Sequence, residues 1–170
     1  ATNGVYPFQK DLEKIIETNI IGTTNILQAL EEYGVKRLIN VGSGFEYGPA
    51  KGKIKESGCI NPISPYAITK AAQTLFVKHF SDMKHVPSTT LRVFVPYGRL
   101  EAKDRLISDI MISIIKKKVL YLSSKNSYRD FVFIDDVIDA LRKAAIKPKI
   151  EGEIINIAGG KPVSIKKIVE

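Results

Sequence analysis

The chain has 170 residues, 44% of them hydrophobic, and carries 26 Lys and Arg against 18 Asp and Glu, a formal charge of +8. That length suits one domain with a sizeable core, or a portion of something larger, and a mean hydropathy of -0.03 excludes a disordered chain. No apolar run approaches the ~20 residues that span a bilayer, no basic leader opens the chain, and the lone Cys59 excludes an internal disulfide, so a cytoplasmic protein without a membrane partner is expected.

Residues 11–33 read as a helix: Leu12, Ile15, Ile16, Ile20, Leu27 and Leu30 lie close to a 3.6-residue stripe, and Gly34 stops it. Residues 37–41 are a short apolar run before Gly42, which suits a buried strand. Gly, Pro and Lys fill 48–65, a loop. Residues 66–83 are helical, with Ala67, Ala71, Leu75, Phe76 and Phe80 as the apolar side, and 89–95 form a strand closed by Pro96-Tyr97-Gly98. Strand, helix and strand at this spacing predict a βαβ crossover and a parallel sheet.

Past Gly98, residues 104–118 predict an isoleucine-rich helix and 119–122 a short strand. A strand over 129–134 leads to a helix capped by Asp135 or Asp136 and reaching Ile146. A strand over 154–158 follows, and Ser164 caps a last helix. The dense basic run, Lys116-Lys117-Lys118, falls at a predicted helix end, where cations favour the dipole. It lacks the interleaved aromatics that stack on single strands, so no nucleic-acid partner is expected. A doubly wound sheet begins with a strand and a glycine turn that holds a cofactor's pyrophosphate. Neither precedes residue 11, which leads us to expect a fragment of a longer polypeptide.

Several patterns fail as sites. Gly42-Ser43-Gly44 lacks the flanking glycines of a nucleophile elbow, and Gly42, Gly44 and Gly48 lead into Pro49 instead of a phosphate-binding helix. His79 and His85 have no ligand-spaced Cys or carboxylate, so no metal is expected, and Cys59 has no neighbouring His. Tyr-x-x-x-Lys occurs at Tyr6/Lys10, Tyr47/Lys51, Tyr66/Lys70 and Tyr121/Lys125. Only Tyr66 opens a helix, where residues i and i+4 share a face. Moving a phenol's pKa from about 10 to about 7 takes roughly 4 kcal/mol. One cation ~4 Å away at an effective dielectric near ~20 supplies energy of that order. Ser43, after the preceding strand, is placed to hydrogen-bond the same substrate oxygen. Read alone, the pair is equally compatible with two surface residues.

The ordered motifs carry more. They are Asn19-Ile-Ile-Gly22-Thr23-Thr24-Asn25, Val41-Gly-Ser43-Gly-Phe-Glu46-Tyr47-Gly48 and Ser64-Pro-Tyr66-Ala-Ile-Thr-Lys70. Leu91-Arg-Val-Phe-Val-Pro-Tyr97-Gly98, Tyr128-Arg129-Asp-Phe-Val-Phe-Ile-Asp-Asp136-Val and Gly152-Glu-Ile-Ile-Asn-Ile-Ala-Gly159 follow. Together they resemble the extended short-chain dehydrogenase/reductases, the NAD-dependent epimerase/dehydratase family acting on nucleotide sugars. The resemblance implies an α/β fold, a partial Rossmann-like doubly wound parallel sheet (residues 1–98) with a smaller α+β substrate-binding region (99–170), some of whose strands return to the main sheet. It implies Ser43, Tyr66 and Lys70 as a proton relay, with Tyr66 and Lys70 also touching the cofactor, NAD or NADP, and Phe94 beside the nicotinamide.

It further implies a nucleotide-sugar substrate held by Ser43, Arg105, Leu106, Leu120 and Tyr121, with Arg129 on the diphosphate, unless Arg129 instead pairs with Asp130. Asn19 matches a helix asparagine near the active site or a local helix distortion. A homodimer through helices 11–33 and 66–83 is implied as well. Departures narrow the chemistry. Gly44 and Phe45 replace the acidic pair of the 4,6-dehydratases, Phe45 also stands where 3,5-epimerases place Cys, and Val95 replaces a frequent Asn. A carbon-4 epimerase or 4-keto reductase is therefore expected, ahead of a dehydratase or a non-catalytic nucleotide-sugar sensor; Glu46 is the one other acid well placed near Ser43, open to a site role or to a structural salt bridge.

Overall fold

The computed structural model describes residues 11–50, 52–103, 105–121 and 127–170. Helices α1 (Leu12–Ile16) and α2 (Gly22–Tyr33) are joined by a π-helical turn, Glu17–Ile21. Strand β1 (Leu38–Ser43) runs into a 3-10 turn, Gly44–Tyr47, and helix α3 (Pro65–Lys84) leads to strands β2 (Ser88–Val93) and β3 (Val95–Tyr97). Helix α4 (Leu106–Ile115), strands β4 (Tyr128–Arg129) and β5 (Phe131–Phe133) and helix α5 (Ile134–Ile146) come next. Strands β6 (Ile154–Ile157) and β7 (Val163–Ser164) and helix α6 (Ile165–Val169) complete the described chain. Tyr6/Lys10, Lys51, Asp104, Leu122 and Lys125 lie outside the described residues.

Strands β1, β2 and β6 form a parallel sheet in that order, with Leu91 of β2 opposite both Val41 and Ile155. The period-two alternation of a strand sends Ile39, Leu91 and Ile155 to one face, where they pack on Ala140, Leu141 and Ala144 of α5. Helix α3 packs on the same strands and meets the other residue set: Ser88 Oγ donates to the Val77 carbonyl, and Thr74 lies over Arg92's partner Glu46. Helices thus cover both faces of a parallel sheet, the α/β doubly wound plan. A short parallel pair, β3 with β5, and an antiparallel pair, β4 with β7, sit beside it.

Several boundaries differ from the sequence reading. Residues 11–33 are not one regular helix: the amide of Gly22 reaches back five residues to the Glu17 carbonyl, so the chain makes a π turn. That turn absorbs one residue without advancing the face. Ile15 and Leu27, 3% and 0% exposed, therefore align, whereas Leu12 and Ile16 of the expected stripe are exposed. On α3 the sheet-facing side is Ala67, Ala71, Thr74 and Val77, which turns Leu75 and Phe76 outward. The strand expected over 89–95 breaks at Phe94, and β3 takes in Pro96 and Tyr97. The 129–134 strand divides at Asp130 between two sheets. Val119 to Tyr121 form no strand. Asp135 and Asp136 lie inside the first turn of α5, which has no side-chain cap. Ser64 and Ser164 cap α3 and α6 through Ala67 and Lys167 amides.

The C-terminal end of α5 has no glycine stop. The guanidinium of Arg37 instead donates to the carbonyls of Ala144 (2.9 Å) and Lys147 and pairs with Glu151. No helix among the described residues is long and apolar enough to cross a membrane.

Beneath the strand ends lies a buried ion pair. Glu46 is 0% exposed and Arg92 3%, and Arg92 Nε is 2.7 Å from Glu46 Oε2. Glu46 Oε1 accepts the Ser43 amide (2.7 Å) and the Thr74 hydroxyl (3.1 Å). Arg92 Nη1 donates to Tyr47 Oη, which in turn donates to Asn156 Oδ1 on β6, each at 2.8 Å. The Asn156 amide and side chain then hold Glu56 and the Ile54 carbonyl, tying the 48–65 loop to the sheet. Removing one partner leaves the other charge without compensation, so Arg92→Met should cost about 3–5 kcal/mol. Denaturant titration measures it, and a loss below 1 kcal/mol, about the value of a surface pair, would show that the network carries no such weight. Gly48 closes the 3-10 turn at φ +66°, where an added Cβ would lie 2.0 Å from the Asn61 carbonyl oxygen. Gly48→Ala should therefore lower stability by about 1–3 kcal/mol in the same measurement.

Candidate active site

A parallel sheet places its functional groups where strands end and chains diverge. β1 ends at Ser43, whose side chain accepts the Phe45 amide (3.3 Å) while Glu46 accepts the Ser43 amide. This reciprocal cap fixes the serine at the strand tip. Ser64, with Pro65 after it, starts α3 so that Tyr66 and Lys70 fall one turn apart on its first two turns. The Ser43 and Tyr66 side chains line the same pocket. Lys70 Nζ donates to the Val41 carbonyl (2.7 Å) and to Gln73 Oε1 (2.8 Å). Asn19, inside the π turn, donates to Thr69 Oγ1 (3.1 Å), which donates to the Tyr66 carbonyl (3.0 Å). The helix distortion and a brace on the Tyr66 backbone are thus one feature.

Val41, Ser43, Tyr66 and Lys70 line an open pocket of about 310 Å³ together with Gly42, Phe45, Val93, Phe94, Pro96, Arg105, Ile134 and Val137. Phe94 lies against Gly44, where an added Cβ would come within 2.8 Å of its ring. Phe45 meets the Tyr66 ring edge-on at 6.4 Å. Arg105, across the pocket, pairs with Glu101 (Nε to Oε1, 3.1 Å), which also accepts from Ser108. Burial lowers the Arg105 pKa and raises that of Glu101.

The electrostatics depart from the sequence argument. Burial pushes the Tyr66 phenol above its ordinary value; the Ser43 hydrogen bond pulls it down, and the negative charge of Glu46 pushes it up. Burial lowers the Lys70 pKa, against the opposing pull of Glu46. The Lys70 ammonium donates to the Val41 carbonyl and Gln73, and the phenol's shift is set by burial, Ser43 and Glu46. Desolvation is the largest influence on both groups.

Ser43, Tyr66, Lys70, Phe94 and Arg105 therefore share one pocket. Leu106, Leu120, Tyr121 and Arg129 do not line it. Leu106 starts α4, Leu120 is half-buried, and Tyr121 is 87% exposed. Arg129 lies on β4 with Nη1 on the Tyr128 carbonyl, and no ion pair with Asp130 forms among the described residues. Sequence reasoning missed Arg92, Gln73 and Asn156. Arg92 had a usable signal, an arginine inside a strand expected to be buried, which demands a buried acid such as Glu46. Gln73 and Asn156 had none. No cluster of His, Cys, Asp or Glu able to hold a metal ion occurs among the described residues.

Residues 2–158 match the NAD dependent epimerase/dehydratase family. A UDP-glucuronate 4-epimerase of Thermodesulfobacterium geofontis is 31% identical over 158 residues, covering 91% of this chain and 48% of the relative. The crystal structure of UDP-glucuronic acid 4-epimerase from Bacillus cereus in complex with NAD has a TM-score of 0.88 at 29% identity, over 94% of this chain and 52% of that one. A dTDP-glucose 4,6-dehydratase from Bacillus anthracis in complex with NAD has a TM-score of 0.84 at 26% identity, over 90% and 50%. The chain spans about half the length of the curated relatives it matches. With its doubly wound sheet and its Ser43–Tyr66–Lys70 pocket, the chain belongs to the NAD dependent epimerase/dehydratase family.

Proposed function

We propose that this chain is the catalytic portion of an NAD-dependent nucleotide-sugar epimerase or 4-keto reductase. The observation that carries the reading is that Ser43, Tyr66 and Lys70 line one pocket, with Tyr66 and Lys70 one helical turn apart on α3. The pocket fits the nicotinamide end of the cofactor: among the described residues Lys70 has two acceptors for three N–H groups, and Phe94 offers an aromatic wall. Bound there, NAD supplies the acceptor and donor of hydride. Tyr66, Lys70 and Phe94 would hold it. Tyr66 passes a proton to or from a sugar hydroxyl, Ser43 orients that oxygen, and Lys70 holds positive charge nearby as the phenol ionises. NAD is favoured over NADP by the NAD bound in the related solved structures.

The pocket favours epimerisation or reduction over dehydration, since Gly44 and Phe45 bring no acid beside Ser43. Arg105 suits an anionic part of a nucleotide sugar. We assign residues 1–98 to the cofactor side and 99–170, with Leu106, Leu120, Tyr121 and Arg129, to the substrate side. Exposed Leu12, Ile16, Ile21 and Ile26 along α1, the π turn and α2, with Ile68, Leu75, Phe76 and Met83 on α3, support pairing of two copies through these helices.

Tyr66→Phe in the full-length protein should cut turnover by about 10²–10⁴-fold while leaving nucleotide-sugar affinity intact. Unchanged turnover would sink the enzyme reading in favour of a sensor. A spectrophotometric phenolate titration should show a step above the ordinary value of 10.0 that Tyr66→Phe removes. Ser43→Ala should raise that step further and Glu46→Gln should lower it. The folded state holds this proton more tightly than the unfolded state. Its contribution to stability is complete below pH 10.0 and is lost as pH rises through the raised value.

A further inference from the structure

We propose that Gln73 is a positioning residue for Lys70, holding its ammonium between two fixed acceptors so that its remaining N–H is kept for a ligand in the pocket. The side chain lies three residues after Lys70 on α3, hence on the same face. An ammonium has donors and no acceptor, so the amide must present its oxygen to Lys70. Its nitrogen then faces the other way and donates to Thr23 Oγ1 at 3.0 Å. Thr23 is 9% exposed and belongs to α2, so Gln73 is held from a second helix.

A lysine's flexible four-carbon stem leaves its charge poorly located unless the head is tied. Here one tie is backbone, the Val41 carbonyl of β1, and the other is Gln73. The charged and titratable groups around Lys70 are Tyr66 on its own helix, Glu46 with its partner Arg92 beneath, and Arg105 across the pocket. Glu46 already supplies the opposing charge. A neutral amide therefore locates the ammonium without cancelling its field at the pocket.

The ligand-facing N–H rests on the proposed cofactor-binding role of Lys70, but the anchoring does not, and the test needs no turnover. Lysine acylation followed by mass spectrometry reads Lys70 against the other lysines of the full chain. Gln73→Leu removes an acceptor that favours the ammonium form, so Lys70 should react about threefold faster or more. Gln73→Glu places a carboxylate on the ammonium, so Lys70 should react more slowly than in the parent chain. Opposite movement in the two variants, with thermal midpoints near the parent's, supports the assignment. An unchanged Lys70 rate in both, or movement in the same direction, overturns it. Should Gln73→Leu fail to fold, Thr23→Val removes the anchor behind Gln73 with an isosteric side chain and carries the same expectation of faster reaction.

Discussion

A carboxylate fully withdrawn from water is the constraint around which this structure is arranged. Glu46 meets three donors from three different elements: the amide at the tip of β1, the hydroxyl of Thr74 on α3 and the guanidinium of Arg92 on β2. A buried charge is tolerated only when so surrounded. Satisfying it brings the strand tip, the helix carrying Tyr66 and Lys70, and the central strand into one arrangement. The same side chain caps the turn that presents Ser43 and sets the sign of the field that Tyr66 and Lys70 feel. Structure and chemistry here share an anion.

The central strand explains why polar residues belong in this core. Every residue of β2 is buried, yet its sequence begins Ser-Thr-Thr and contains an arginine. Ser88 and Thr89 donate to the carbonyls of Val77 and Ile150, and Thr90 accepts from Asn40. Each buried hydroxyl has a partner, so the strand avoids the desolvation cost of orphaned groups. The apolar share of the core then falls mainly on the α5 side, through Leu91, Val93, Ile155 and Ile157.

Much of this was legible in the residues. The βαβ order, the parallel sheet and the helix opening at Tyr66 follow from alternation, spacing and the Ser64-Pro65 start. The pocket unites Ser43, Tyr66, Lys70, Phe94 and Arg105 from four separated stretches, an association that came from motif order. What stayed illegible has physical causes. Apolar spacing does not register a π turn, to which Asn19 alone pointed, so the expected stripe took in Leu12 and Ile16, which face outward. Strand breaks at Phe94 and Asp130 reflect which sheet edge is available, a tertiary matter. The phenol's raised pKa reflects burial and the nearby charge of Glu46, neither of which i,i+4 spacing encodes.

The way α5 is finished bears on the order of assembly. Helices usually close their last carbonyls locally, with a glycine or a nearby side chain. α5 borrows its closure from Arg37, 107 residues earlier at the Ala144 carbonyl. Such a contact forms only after a long stretch of chain has been looped back, so its gain arrives late, while the entropy of looping is lost early. The final turn of α5 is thus completed by docking against the start of β1, and helix end and strand start should gain protection from hydrogen exchange as one cooperative unit.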